Sequence, residues 1–158
     1  MTTHRRDALI AGVCFLVAAA SSIVALALYQ PLLGHPDYVT AGSSDSQVAV
    51  GALLEVALAI TVIGTSVFLY PVVRRQDGAL ALGYVGGRIL EAAMIMVGIV
   101  SVLAVVALRQ DVGTTADGAT AQLVVRALVG VHDATFLMGP GLVIGVNTFL
   151  LALLIAAG

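Results

Sequence analysis

The chain has 158 residues, 60% of them hydrophobic and 10% charged, with a mean hydropathy of +1.09; soluble domains run closer to ~45–50% apolar and ~25% charged. A soluble fold of this size still exposes a large share of its area, so this composition excludes an ordinary water-soluble domain and makes the bilayer the natural solvent. A net charge of −2 excludes the basic patch of a nucleic-acid binder, and the single cysteine, Cys14, excludes an intrachain disulfide or a multi-thiolate metal site.

A spanning helix needs ~20 mostly apolar residues. The first such run covers residues 8–29, carries no charge and stops at Pro31. Its flank His4-Arg5-Arg6-Asp7 has the look of a signal peptide, but the run exceeds the ~7–15 residues of a signal core, and an uncleaved span is expected. Cys14 within it is expected to be lipid-facing or core filler. Residues 30–46 hold Pro31, Gly34, Pro36, Gly42 and Ser43-Ser44, which is turn chemistry. The second run covers 47–70, ends at Pro71 and contains one ionisable residue, Glu55. A short loop with Arg74-Arg75 leads to a third run over 79–108, which contains Arg88 and Glu91. That run is long enough to tilt or to project beyond the hydrocarbon. There is no tryptophan; Tyr29 and Tyr70, each closing a helix just before a proline, are expected to anchor at the two membrane interfaces.

The last forty residues are either two spans joined at Gly139-Pro140-Gly141 or one helix with an extra segment in front. A hairpin tip should reach water, yet Met138, Leu142 and Val143 flank this one. Proline is tolerated inside membrane helices where neighbours satisfy the freed carbonyl. The favoured reading is therefore a partly interfacial outer helix over about 119–131 that continues through a Pro140 kink into a fourth span at about 134–157. The fold class is all-α: one membrane domain of about four helices. Arg5, Arg6, Arg74 and Arg75 fall on one side, against Arg109 and Arg126 with Asp111 and Asp117 on the other. The positive-inside rule then puts the N-terminus in the cytoplasm.

Ionisable groups in hydrocarbon cost ~2.5–3.5 kcal/mol each on insertion scales and usually find partners inside the bundle. At ~1.5 Å of rise per residue, Glu55 lies about 5 Å outward of the middle of the second span. By the same rise, Glu91 and Arg88 lie about 4 and 8 Å inward of the middle of the third. Asn147 falls near the middle of the fourth. These four are expected to form one buried polar cluster. Arg88 and Glu91 are i and i+3 neighbours and can pair on their own helix, which leaves Glu55 uncompensated and expected to be neutral. A proton-coupled carrier would be poised in this way, but a structural network centred on Arg88 explains the same residues. Ala79, Gly83 and Gly87 recur every four residues, Gly51 precedes Glu55 by one turn, and Gly141 and Gly145 repeat the spacing. Small residues so spaced let membrane helices approach closely, and the second and third helices are expected to meet around the cluster.

His132-Asp133 is expected at the outer end of the last span. Histidine can relay protons or bind metal, with His35 and Asp37 as the other nearby candidates, but metal sites want three or four ligands. Asp133 is expected to cap the fourth span at its N-terminus. No HExxH, nucleophile elbow or phosphate-binding glycine loop is present; no cofactor and no metal are expected.

Three stretches carry a family likeness: Arg5-Arg6-Asp7-Ala8-Leu9-Ile10-Ala11-Gly12-Val13-Cys14-Phe15-Leu16, Leu82-Gly83-Tyr84-Val85-Gly86-Gly87-Arg88-Ile89-Leu90-Glu91-Ala92, and His132 to Leu154. They resemble the bacterial domain-of-unknown-function family 4386, and the middle motif is the most specific of the three. The resemblance implies a multi-pass protein of the bacterial cytoplasmic membrane and supplies no activity. Members are usually longer, with further helices after a basic loop that would begin near Gly158. A short member is thus one expectation; a chain lacking its C-terminal spans, completed by a partner or a second copy, is the other.

The leading functional reading is a non-enzymatic accessory or binding subunit with a structural Arg88/Glu91/Glu55 cluster. Its partners are the lipid bilayer and a homo-oligomer or larger membrane complex. The alternatives are a small proton-coupled carrier using Glu55 or Glu91 and, behind it, an intramembrane enzyme using His132 and Asp133.

Overall fold

With no water to satisfy exposed N–H and C=O groups, apolar runs of this length can cross lipid only as helices or as a closed barrel. The computed structural model describes residues 3–34, 38, 45–112 and 118–156, and they are helical nearly throughout. The elements are α1 (Thr3–Leu33), α2 (Asp45–Val73), α3 (Gly78–Val112), α4 (Gly118–Phe136), a π-helical segment (Leu137–Val143) and α5 (Ile144–Ala156). Four helices are long and apolar enough to cross a membrane, the last being the continuous Gly118–Ala156. At 1.5 Å per residue they run roughly 44 to 58 Å, well beyond a hydrocarbon core of ~30 Å.

The helices alternate in direction, as three apolar clusters show. Val73, Ala81, Tyr84 and Leu154 pack together at the end that carries Arg74 and Arg75, here the double-arginine end. Ala52, Leu58, Ala92 and Ile95 fill the middle. Tyr29, Leu32, Val48, Val105 and Val125 close the opposite end. α2 packs against both α1 and α3, and α3 packs along the whole of the last helix, which also reaches α1 through Tyr29 and His132.

Outside and inside are reversed relative to a soluble bundle. Leu16 and Leu137 are 73% exposed and Ile23 is 72% exposed, while Glu55, Arg88, Glu91, His132 and Asn147 are buried. This pattern identifies a multi-pass membrane protein whose apolar faces meet lipid. Inward hydroxyls are satisfied within their own helices: Thr65 donates to the Val62 carbonyl at 2.6 Å, Ser101 to Gly98 at 2.7 Å and Thr135 to His132 at 2.8 Å, the back-bonding that lets Ser and Thr sit mid-helix.

The helix ends have chemical causes. Asp77 Oδ1 accepts the backbone N–H groups of Ala79 at 2.8 Å and Leu80 at 3.0 Å, capping α3. At the opposite end Asp45 begins α2, pairs with Arg109 of α3 and accepts the Tyr38 hydroxyl at 2.9 Å. The Arg109 guanidinium lies 5.3 Å from the Tyr38 ring centroid, so one cluster ties the first loop to two helices.

Pro140 does not break the last helix. Proline offers no N–H to the preceding turn and its ring crowds the carbonyl there; a wider turn absorbs both effects. The Ile144 N–H reaches the Gly139 carbonyl across five residues, the π spacing. The two-span alternative for the last forty residues is thereby removed. Because the helix starts at Gly118, Asp133 lies deep within it and caps nothing, which corrects the expectation of an N-cap.

Candidate functional site

The buried polar residues form two centres where one was expected. Glu55 and Glu91 differ in depth by roughly 9 Å at helical rise, and different helices supply their partners.

The first centre grows from α3. Arg88 Nη1 donates to Glu91 Oε2 at 2.8 Å, the intrahelical pair that the spacing predicts. Arg88 Nε donates to the Tyr84 hydroxyl at 3.3 Å, one turn earlier. The guanidinium carbon lies 5.0 Å from the Phe15 ring centroid and 5.6 Å from that of Tyr84, within cation–π range. From α5, Asn147 Nδ2 donates to Glu91 Oε2 at 3.0 Å. Gly87 makes this contact possible: a Cβ there would stand 1.9 Å from Asn147 Oδ1. One cation and one carboxylate thus compensate each other inside an aromatic and amide cage.

The second centre is assembled from three helices. Tyr29 of α1 donates its hydroxyl to Glu55 Oε2 at 3.0 Å. His132 of α4 brings Nε2 to 3.9 Å from Glu55 Oε1, and that nitrogen is buried without a hydrogen-bond partner. Its other nitrogen, Nδ1, lies 3.4 Å from Asp133 Oδ1, and the Asp133 side chain is 66% exposed. The imidazole is held edge-on to Tyr29, centroids 5.6 Å apart, and stacked on Phe136 at 5.5 Å. Gly51 makes room for the tyrosine, since a Cβ there would lie 2.7 Å from the Tyr29 ring. No arginine or lysine contact reaches this centre among the described residues.

Several expectations are corrected by these placements. Tyr29 is not an interface anchor; it is fully buried and holds Glu55. The glycine faces do not bring α2 and α3 together around one cluster. Gly51 faces α1 through Tyr29, while Gly83 and Gly87 of α3 face Leu150 and Asn147 of α5. His132 is not at a helix end but inside the bundle. His35 and Asp37, the other histidine-site candidates, lie outside the described residues. Among the described residues no group of three or more His, Cys, Asp or Glu side chains is arranged to hold a metal ion. Cys14 is half-buried, with its Sγ against Gly64 of α2.

A cavity of about 290 Å³ adjoins the first centre. Arg88 and Glu91 form its polar wall, Phe15 and Ser22 line it from α1, Thr65 from α2 and Pro140 from the π segment. The rest of the lining is aliphatic. A second, more open groove of about 460 Å³ runs between α1 and the last helix, lined by Leu26, Leu33, Phe136 and Leu137, and there His132 and Asp133 meet its surface.

A family model described as a domain of unknown function (DUF4386) matches residues 10–157, nearly the whole chain. The chain belongs to this family. No curated protein and no solved structure matches it.

Phe15, Tyr29 and Tyr84 complete the two centres, yet from the residues alone none of them has a site role. Tyr84 had a usable signal, standing one turn before Arg88 on the same face. Gly51, one turn before Glu55, marks the place where a large ring from another helix inserts, but nothing local says which ring.

Proposed function

We propose that this DUF4386 protein is a non-enzymatic binding or accessory subunit of the cytoplasmic membrane, and that its central cavity holds a small, uncharged amphipathic molecule. The observation that carries this reading is the cavity's position against a buried ion pair that is already neutral. An anion brought to Arg88 would also meet Glu91, whose Oε2 sits 2.8 Å from the guanidinium. A hydroxyl or carbonyl can instead share hydrogen bonds with the pair while its apolar part lies along Phe15, Ile95 and Ile144. The volume accommodates on the order of ten heavy atoms, at the small end of ligand pockets. Carriage of a proton by Glu91 is disfavoured because Arg88 and Asn147 both donate to it.

A thermal-shift titration of the full chain in nanodiscs with 1-decanol tests the reading. The wild type should be stabilised in a saturable way. Ser22→Phe, which fills the cavity from α1 and removes no residue of either centre, should lose that response while still folding. Equal responses from the two proteins would sink the reading. The cytoplasmic N-terminus, supported by the arginine bias, predicts that Gln76→Cys in a Cys14→Ala background reacts with an impermeant maleimide only in opened cells.

A further inference from the structure

We propose that Glu55 is a reversible proton-binding site, loaded from the bundle surface through Asp133 and His132. The proposal uses other residues than the cavity and stands apart from that reading.

Three observations carry it. First, the three groups lie in sequence from outside to inside: Asp133, with its side chain 66% exposed, then His132 at 3.4 Å, then Glu55 at 3.9 Å from the far side of the same ring. Second, His132 Nε2 is buried without a hydrogen-bond partner and faces Glu55. A structural histidine ordinarily satisfies both nitrogens; here one is left aimed at a carboxyl. Third, Glu55 lacks the fixed cation that Glu91 has. From α1 it meets only the Tyr29 hydroxyl. From α3 its level is faced by Gly98, Ile95 and Ile99. The nearest ionisable side chains of α3, Arg88 and Glu91, bond to each other. Arg126 of α4 shares a surface groove with Asp133, on the outer side of the relay. Among the described residues nothing but a proton, on Glu55 itself or on His132, is therefore placed to neutralise Glu55.

The step balances with a neutral imidazole as carrier. Protonated Asp133 gives its proton to Nδ1 and becomes carboxylate. The imidazolium releases the Nε2 proton to Glu55 Oε1, leaving a neutral ring with its proton on Nδ1 and a neutral Glu55. Asp133 is reprotonated from water, and the ring resets by tautomer exchange. The Nε2–Oε1 gap must close to the 2.7–3.2 Å of a hydrogen bond, a shift within reach of a side-chain adjustment or bridged by one water. The groove that Asp133 shares with Arg126, Gly130 and Leu33 leads toward the C-terminal end of α1 and the start of α4, and along it the Asp133 carboxylate takes its proton from the aqueous face. Tyr29 keeps Glu55 turned toward the ring.

Infrared difference spectroscopy of the full chain in nanodiscs, read in the carbonyl stretch of protonated carboxyls, tests the proposal. A pH titration should show a titrating band that Glu55→Gln abolishes and Glu91→Gln leaves in place. After a rapid pH jump, the rate of that band should fall on the order of a hundredfold in His132→Gln, as expected when a positioned proton carrier is lost. Asp133→Asn alters only an exposed side chain and tests the same path without threatening the fold; it should slow the rate about tenfold and leave the titration midpoint nearly unchanged. No Glu55-dependent band, or one whose rate is the same in Asp133→Asn, would overturn the proposal.

Discussion

Glu91 and Glu55 are both 2% exposed and both lie inside a membrane bundle, but their surroundings differ in kind. Glu91 shares its helix with its cation, and Asn147 adds a second donor across the interface with α5. Glu55 has a tyrosine from α1 and a histidine from α4 and, among the described residues, no fixed positive charge. A buried charge is tolerated only when an opposite charge compensates it closely. The α3 centre carries its own counter-charge; the α1/α2/α4 centre is compensated only when it holds a proton, on Glu55 or on His132. One is built as a rivet and the other as a site whose charge can change.

The sharpest way to break this comparison is to strand the cation. Glu91→Leu leaves Arg88 buried without its carboxylate and should cost about 3–5 kcal/mol, as other broken buried pairs do. Titration with SDS in mixed micelles reads the loss. Adding Arg88→Met to the same protein should restore most of the stability. A cost below about 1 kcal/mol for Glu91→Leu would remove the structural role given to the pair.

Packing gives the next effect. In Gly87→Ala the new methyl would stand 1.9 Å from Asn147 Oδ1, so the Asn147 amide must turn away from Glu91 or α3 and α5 must separate, at about 1–3 kcal/mol. Asn147→Ala in the same chain makes room for the methyl, and the double variant should be less destabilised than the sum of the singles. Additive costs would mean that Gly87 is not there to admit Asn147.

The contrast between the centres also explains what could be read in the residues before any coordinates. Four membrane helices and the Arg88–Glu91 pair follow from local rules: apolar run length and i, i+3 spacing. The expected stops at Pro31 and Pro71 do not hold, for α1 and α2 run on through these prolines to Leu33 and Val73. Asn147 beside Glu91 followed from matching depths. The second centre did not follow, because its partners are more than twenty residues from Glu55 in either direction and depend on which helices are neighbours. Tyr29 ahead of Pro31 fits an interface anchor equally well, and His132-Asp133 fits a helix start if the last helix is taken to begin there. His132 instead lies well inside a helix that begins at Gly118, so it faces the bundle and not a helix end.

Tyr29→Phe sharpens the account of the second centre by removing the donor to Glu55. A hydrogen bond to a charged group is worth about 1.5–3 kcal/mol and one between neutral groups about 0.5–1.5. The loss should therefore be the smaller figure at low pH, where Glu55 holds a proton, and grow as pH rises and the carboxylate forms. Unfolding in mixed micelles across pH, wild type against variant, gives the difference directly. The pH-dependence of the difference should vanish in a Glu55→Gln background. A difference that shrinks with rising pH would contradict the assignment of Tyr29 as donor to a titrating Glu55.

The smallest expected effect is the most discriminating. Glu55→Gln and Glu91→Gln make the same chemical change at two equally buried positions. At position 91 the amide cannot balance Arg88, and the cost should approach that of Glu91→Leu. At position 55 no cation is left behind. The amide oxygen can still accept from Tyr29, and the amide nitrogen can donate to His132 Nε2, which otherwise has no partner. The change at 55 should therefore stay within about 1 kcal/mol of the wild type at neutral pH, in the ordinary range for substitutions that strand no buried charge. Equal large costs at both positions would mean that Glu55 is normally charged and compensated, and the distinction between a fixed centre and a variable one would fall with it.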